Sequence, residues 1–458
     1  MSKMNSSLGI ENILRILSNG EGSVHFSGVG GVGMCSLFCL AQNFGIKVSG
    51  SDRASNDALS HLMSLGADIV IGARNELPSA TKLLVYTLAL DEQDKELFLA
   101  KEKKIPTVSR AEFLGALMEC YRERIGVCGS HGKSTVTAML YLIFSKASLS
   151  PTVLCGAALP NQKLPFSFGA LDYLIYEACE YKDSFLCFSP TASLFLNLEL
   201  DHVDYFSSVE QLENSFLRAI NNSKLAVINY DDDRLLKLSK KATAKIIGYG
   251  KHRDADFRYR VVDNRPYGMR FDMYKKTDYL GRIELSMLGE FNISNAAAAA
   301  TIALALGVSF DNVRDALESF QGIERRLEKI GEYHDRTVYY DYAHHPTEIK
   351  ESILALRKLS KGAVTVVFGA HTYSRTKVLF SDFVSSLSLA DYVILTDIYG
   401  AREEKIEGIS IELLGEKIGA QLCPRVKEIS EKLENTEGII VIMGAADMTD
   451  LKNFLLSE

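Results

Sequence analysis

Short apolar runs, separated by stretches of helical period, organise most of this 458-residue chain. After a helical pattern from Ile10 to Leu17, Val24-His-Phe26 predicts a strand, Leu37, Leu40 and Ala41 mark a helix, and Lys47-Val-Ser49 predicts a second strand. Ala67–Ile71, Leu83–Tyr86 and Ile105–Val108 continue the alternation, which predicts an open parallel sheet. A second series follows. It has an apolar entry at Ile125, a helix through Ala138–Ile143, and strands over Leu171–Glu177 and Ala192–Asn197. From Asp254 to Ser286 the chain is more polar and β-leaning, which predicts a meander or hairpin. The run Gly289–Asn295 then reads as the cap of an alanine-rich helix over 296–306. Strands at Thr337–Asp341, Ala363–Phe368, Tyr392–Thr396 and Gly438–Met443, spaced by helical patterns, predict another doubly wound unit.

Glycines at two strand-to-helix turns change the picture from fold to chemistry. Gly129-Ser-His-Gly-Lys-Ser-Thr135 places Lys133 and Ser134 where a helix begins. Backbone N–H groups there can hold phosphate oxygens, Lys133 can reach the outer phosphates, and Ser134 can offer its hydroxyl to magnesium. The common template has a glycine five residues before Gly132; here that position is Val127, with Gly126 one step earlier. In the first unit, Gly28, Gly30 and Gly33 fit G-x-G-x-x-G after a strand, and Asp52 follows at the spacing that binds a ribose hydroxyl. Together these predict dinucleotide or sugar-nucleotide binding.

Ligands of parallel sheets collect at the carboxyl ends of strands. Glu177 and His202 are therefore candidates to face the ion held by Ser134; taken singly, Glu177 also reads as a solvated strand end and His202 as a turn cap. Asn292 and Asn295 could pair with a heteroaromatic edge or simply cap their helix. In the last unit, Asp341–Pro346, His371–Arg375, Asp397–Arg402 and Gly444–Asp447 put polar clusters at the ends of all four strands, which predicts a site.

Bulk composition sets limits on function. The chain is 47% hydrophobic and 24% charged, as expected of a soluble protein with full cores, and its net charge of −7 argues against a broad nucleic-acid surface. The eight cysteines include no Cys-x-x-Cys pair, and half lie in apolar runs, so they read as the buried thiols of a cytoplasmic protein. Met1–Ser7 shows no signal peptide, and the most apolar segment, Ala296–Leu306, is too short to insert in a membrane. Length and pattern predict an α/β protein of three domains: a Rossmann-like unit over 1–122, a central P-loop ATPase-like parallel sheet over 123–323, and a Rossmann-like unit over 324–458. Arg122-Glu-Arg124 reads as a linker.

These motifs, in this order, resemble the Mur ligases, the ATP-dependent amino-acid ligases of peptidoglycan synthesis. The carriers are His25–Met34, Gly129–Thr135, Glu177–Glu180, Asn197–His202, Gly289–Asn292, Arg325-Arg326, Tyr342–Glu348 and Tyr373–Thr376. The resemblance spans about His25 to Asp447 and implies a first domain for the UDP-sugar, a second for ATP and a third for the amino acid. It implies that Gly28, Gly30, Gly31 and Gly33 face the UDP pyrophosphate and Asp52 the nucleoside. Gly129, Ser130, His131, Gly132, Lys133, Ser134 and Thr135 would hold ATP, with Asn292 at adenine and Arg326 and Asp341 also on the nucleotide. Ser134, Glu177 and His202 would bind Mg2+, and His344, His371 and Arg375 would line the amino-acid pocket. Lys133, Glu177, His202, His344 and Arg375 are the expected catalytic set. UDP-N-acetylmuramate and L-alanine are the expected substrates, joined through an acyl phosphate; a relative that attaches recycled peptide is the alternative. Cys179, Thr372 and Leu88 depart from residues common in the family, which has Asp, Arg and Ser there.

Overall fold

The computed structural model describes residues 8–18, 22–90, 93–360, 362–401 and 403–457, so Met1–Ser7 and Arg402 of the sequence motifs lie outside the described residues. Three sheets, each flanked by helices, form the framework. The first has five parallel strands in the order Ile69–Ile71, Val48–Asp52, Ser23–Ser27, Thr81–Tyr86, Thr107–Ser109. Its central strand is buried at Val24 and Phe26, and Phe26 meets Phe38 and Phe113 edge-on at 5.4 and 5.6 Å. Parallel strands covered on both faces read as continuous apolar runs, which is why the pattern showed them.

The second sheet has ten strands and is mixed. Its parallel part includes Glu123–Cys128 between Ala192–Phe195 and Tyr173–Glu177. Glu123 and Arg124 therefore begin this strand and are not a linker; Arg124 is tied to Thr191 and Ser189 through its backbone and guanidinium. The predicted meander is three antiparallel strands, Phe257–Asp263, Met269–Lys275 and Asp278–Leu285, that extend the sheet on one side. The alanine-rich helix runs Phe291–Ala305, beginning five residues before the expected start. Ala296 to Ala300 are all buried, and their small side chains let the helix lie close against Lys133–Lys146.

The third sheet has six strands: the four expected ones plus two edges, Glu328–Tyr333 (antiparallel) and Gln421–Leu422. Its order places Arg336–Asp341, Ile439–Gly444, Val364–Gly369 and Tyr392–Leu395 side by side and parallel, with all four polar clusters following on one edge. Among the described residues, no helix is long and apolar enough to cross a membrane.

Candidate active site

The strand Glu123–Cys128 ends in the loop Gly129–Gly132, and the helix Lys133–Lys146 starts at once. Gly132 has φ +85°, and a Cβ there would stand 2.7 Å from Oδ1 of Asn295, so both backbone and packing require glycine. Val127 is a buried strand residue, and Gly126 leaves room for the Tyr176 ring; the missing template glycine thus falls before the loop. Lys133 lies back over the loop, its Nζ 2.5 Å from the Gly129 carbonyl and 3.2 Å from Oε2 of the buried Glu180. Burial works to lower the Lys133 pKa, but the Glu180 and Glu177 carboxylates outweigh it and raise it.

On one side of this loop stand Ser134 and Glu177. A Cβ built on Gly156 would lie 3.0 Å from Glu177 Oε1 and 3.2 Å from Ser134 Oγ, so carboxylate and hydroxyl converge on the space glycine leaves open. A hard cation with oxygen ligands fits that pair. His202, with φ +51°, instead pairs with Glu180 at 3.8 Å. Burial opposes its charge, yet a hydrogen bond with Cys179 and the Asp201 and Glu180 carboxylates push its pKa up to about 9. Asp183 is occupied structurally, accepting from Tyr205 and Ser215 at 2.8 and 2.6 Å.

On the other side the third domain closes against the loop. His131 lies between two carboxylates, Nε2 3.3 Å from Glu199 and Nδ1 3.3 Å from Glu348. Burial would lower its pKa, but the two carboxylates raise it to about 10. Glu348 also receives Arg326 at 3.3 Å, and Thr347 donates to Glu199 at 2.5 Å. A cavity of about 190 Å³ opens here, lined by Gly132, Asn292, Asn295, Arg326, Asp341 and Glu348. Asn292 and Asn295 lie inside the helix and do not cap it: Asn292 donates to the Leu288 carbonyl and accepts from Asn295. Asp341 is buried, accepts from Ser352 at 2.5 Å, and burial raises its pKa to about 6. His344 sits beside Glu348 at 3.4 Å, and burial lowers its pKa to about 4.

Arg375 shows the largest difference from expectation. Its Nη2 and Nε both point to Oδ1 of Asp201 in the central domain, at 2.7 and 2.9 Å, and Nη1 meets His371 Nδ1 at 3.0 Å. In this arrangement the guanidinium is engaged by Asp201 and His371. Burial, then the Arg375 charge, lowers the His371 pKa to about 4. Thr372 adopts φ +66°, a strained conformation for a β-branched residue.

In the first domain the Gly30 N–H donates to Asp52 Oδ2 at 2.7 Å, and Asn56 donates to the Gly30 carbonyl, so Asp52 pins the glycine loop. Gly28, Gly31 and Asp52 line a hollow with Ser27, Ser51 and Thr87. Gly31 and Gly33 also line a second cleft shared with Gly156, Glu177 and Cys179 of the central domain. Sequence reasoning did not single out Glu199, Asp201 or Glu348, although all three lie in the runs that carried the resemblance; polar residues one or two places past a strand-end motif were the available signal.

Fold and site together define a three-domain α/β protein built around a phosphate loop. Residues 23–122 match the Mur ligase family, catalytic domain; 127–303 match the Mur ligase middle domain; and 325–446 match the Mur ligase, glutamate ligase domain. The chain belongs to the Mur ligase family. It is 36% identical over 446 residues to the UDP-N-acetylmuramate–L-alanine ligase of Caldicellulosiruptor bescii, covering 94% of this chain and 98% of that one. The protein of the same name from Clostridium novyi is 39% identical over 408 residues, 88% of each chain. The crystal structure of UDP-N-acetylmuramate–alanine ligase from Thermotoga maritima superposes with a TM-score of 0.80 at 22% identity, covering 95% of this chain and 98% of that one.

Proposed function

We propose that this protein joins L-alanine to the carboxylate of UDP-N-acetylmuramate at the expense of ATP, passing through an acyl phosphate. One observation carries the reading: the glycine-loop domain and Glu177 open on a single cleft, while the phosphate loop beside Glu177 is walled on its other side by the third domain. A sugar nucleotide on the first domain and ATP on the second would then meet at Lys133. Relatives that carry this activity by name match nearly the whole chain. They favour this reading over attachment of recycled peptide.

The residues suit the chemistry. A carboxylate is a poor electrophile, and transfer of the γ-phosphoryl group makes it a good one. That transfer mainly requires its charge to be neutralised in place, which Lys133, Arg326 and the loop N–H groups do. Ser134 and Glu177 would hold Mg2+, which when bound supplies further neutralisation; His202 could join them only in its neutral form. The amine of L-alanine then attacks the acyl carbon, the C–N bond forms and phosphate leaves. The amine must lose a proton, and the departing phosphate, a better base than His344 or His371 at a pKa of about 4, can accept it. Arg375 would exchange Asp201 for the amino-acid carboxylate as the pocket fills. Trapping tests the intermediate: with ATP and UDP-N-acetylmuramate but no amino acid, hydroxylamine should yield the muramyl hydroxamate. ATP consumption with alanine but no trapped hydroxamate under any condition would contradict the acyl phosphate.

A further inference from the structure

His131, Glu199 and His345 meet where the third domain closes on the phosphate loop. One ring nitrogen from each histidine and one carboxylate oxygen all lie within 4.8 Å of one another. His131 Nε2 stands 3.3 Å, and His345 Nδ1 3.5 Å, from the same atom, Glu199 Oε2. A tetrahedral zinc ion with bonds of ~2.0–2.1 Å sets its donors ~3.3–3.4 Å apart, so both histidines already stand at that spacing from the carboxylate. Two imidazoles and one carboxylate are a donor set that suits zinc better than a hard ion such as magnesium.

The surroundings are those of metal ligands. Glu348 Oε1 lies 3.3 Å from the other ring nitrogen of His131, Nδ1, and such a carboxylate fixes the tautomer that leaves Nε2 as the donor. Thr347 Oγ1 donates to Glu199 Oε2 at 2.5 Å and so orients the carboxylate. His345 is buried and caps the helix Pro346–Leu359, its Nδ1 accepting a long 3.3 Å contact from the Thr347 N–H. Among the described residues its Nε2 has no hydrogen-bond partner. Asn, Asp or Ser would cap the same turn without leaving a buried ring nitrogen unpaired, so capping alone does not account for an imidazole here. Between His131 and Glu199 the bridge is now a proton, which an incoming metal ion would release.

We propose that His131, Glu199 and His345 form a zinc site that fastens the third domain to the phosphate loop, with its fourth position open to the cavity that His131, Glu199 and Thr347 line.

The test is calorimetric titration with ZnCl2 in the absence of nucleotide, with excess Mg2+ present so that Ser134 and Glu177 do not compete. The full-length protein should take up one zinc ion, releasing a proton and binding more tightly as the pH rises. Co2+ in its place should show the visible absorption of a tetrahedral site. His345→Asn keeps a helix cap and loses a ligand. It and Glu199→Gln should each weaken zinc binding at least ~100-fold, and Thr347→Val roughly tenfold, the scale of an outer-shell contact. Zinc should raise the Tm of the parent and leave that of His345→Asn unchanged. A parent protein that takes up no zinc, or cobalt bound without the tetrahedral absorption, overturns the proposal. So does zinc held as tightly by His345→Asn and Glu199→Gln as by the parent, which would place the ion at the cysteines or at Glu177. If His345→Asn does not fold, Glu199→Gln decides by the same comparison.

Discussion

Arg375 and Asp201, 174 residues apart in the chain, form a buried pair in which two guanidinium nitrogens converge on one carboxylate oxygen. The pair ties the third domain to the central one beside His202. Asp201 is held well below the usual carboxylate range: burial opposes this, and the Arg375 and His202 charges overcome it. Removing one member strands the other, a cost of ~3 kcal/mol or more. Asp201→Ala and Arg375→Ala should therefore each destabilise the protein to denaturant, with the double variant little worse than either. Additivity within ~0.5 kcal/mol would show that the two do not act as a unit.

Arg375→Lys keeps the charge but loses the fork. If the guanidinium passes from Asp201 to the amino-acid carboxylate, the KM for L-alanine should rise roughly ten- to a hundredfold, the scale of a charged hydrogen bond. The constants for ATP and UDP-N-acetylmuramate should move little. All three rising together would mean that the pair serves only domain docking.

Lys133→Ala should abolish ligation, with a loss of at least ~3 kcal/mol of transition-state stabilisation. Binding of the sugar nucleotide should survive, since the glycine loop belongs to a separate sheet. Near-parental turnover in this variant would remove the phosphate-loop assignment.

Glu177→Gln should raise the magnesium concentration needed for half-maximal activity, because the amide that replaces the carboxylate is uncharged. Chelation with EDTA should stop the parent enzyme, and added Mg2+ should restore it. Magnesium titrations that coincide for parent and variant would take Glu177 out of the metal site.

His131 predicts a pH dependence. Its pKa is raised to about 10 by Glu199 and Glu348, from an ordinary value near ~6.5. The stabilisation is therefore fully present below ~6.5 and is lost as the pH rises through about 10. Tm should fall along this alkaline limb in the parent and stay flatter in His131→Ala. Superimposable curves would show that the bridge contributes nothing to domain docking.

The doubly wound units were legible because strands buried on both faces, such as Val364–Gly369, leave unbroken apolar runs. Glycine turns followed by helices likewise showed where phosphates could bind. The start of the helix at Phe291 was not legible: Gly289-Glu-Phe-Asn looks like a cap, yet Phe291 packs against the third domain's apolar cluster and the helix begins there. Glu348 against His131 and Asp201 against Arg375 were not legible either, because such pairs are made by domain closure across well over a hundred residues.

The most direct measurement is phosphate release from ATP with UDP-N-acetylmuramate present and amino acids or peptides added singly, followed by mass analysis of the product. The account predicts release that depends on both substrates, is greatest with L-alanine, and yields UDP-N-acetylmuramoyl-L-alanine. Release supported by a muramyl tripeptide's peptide and not by L-alanine, or release independent of UDP-N-acetylmuramate, would contradict it.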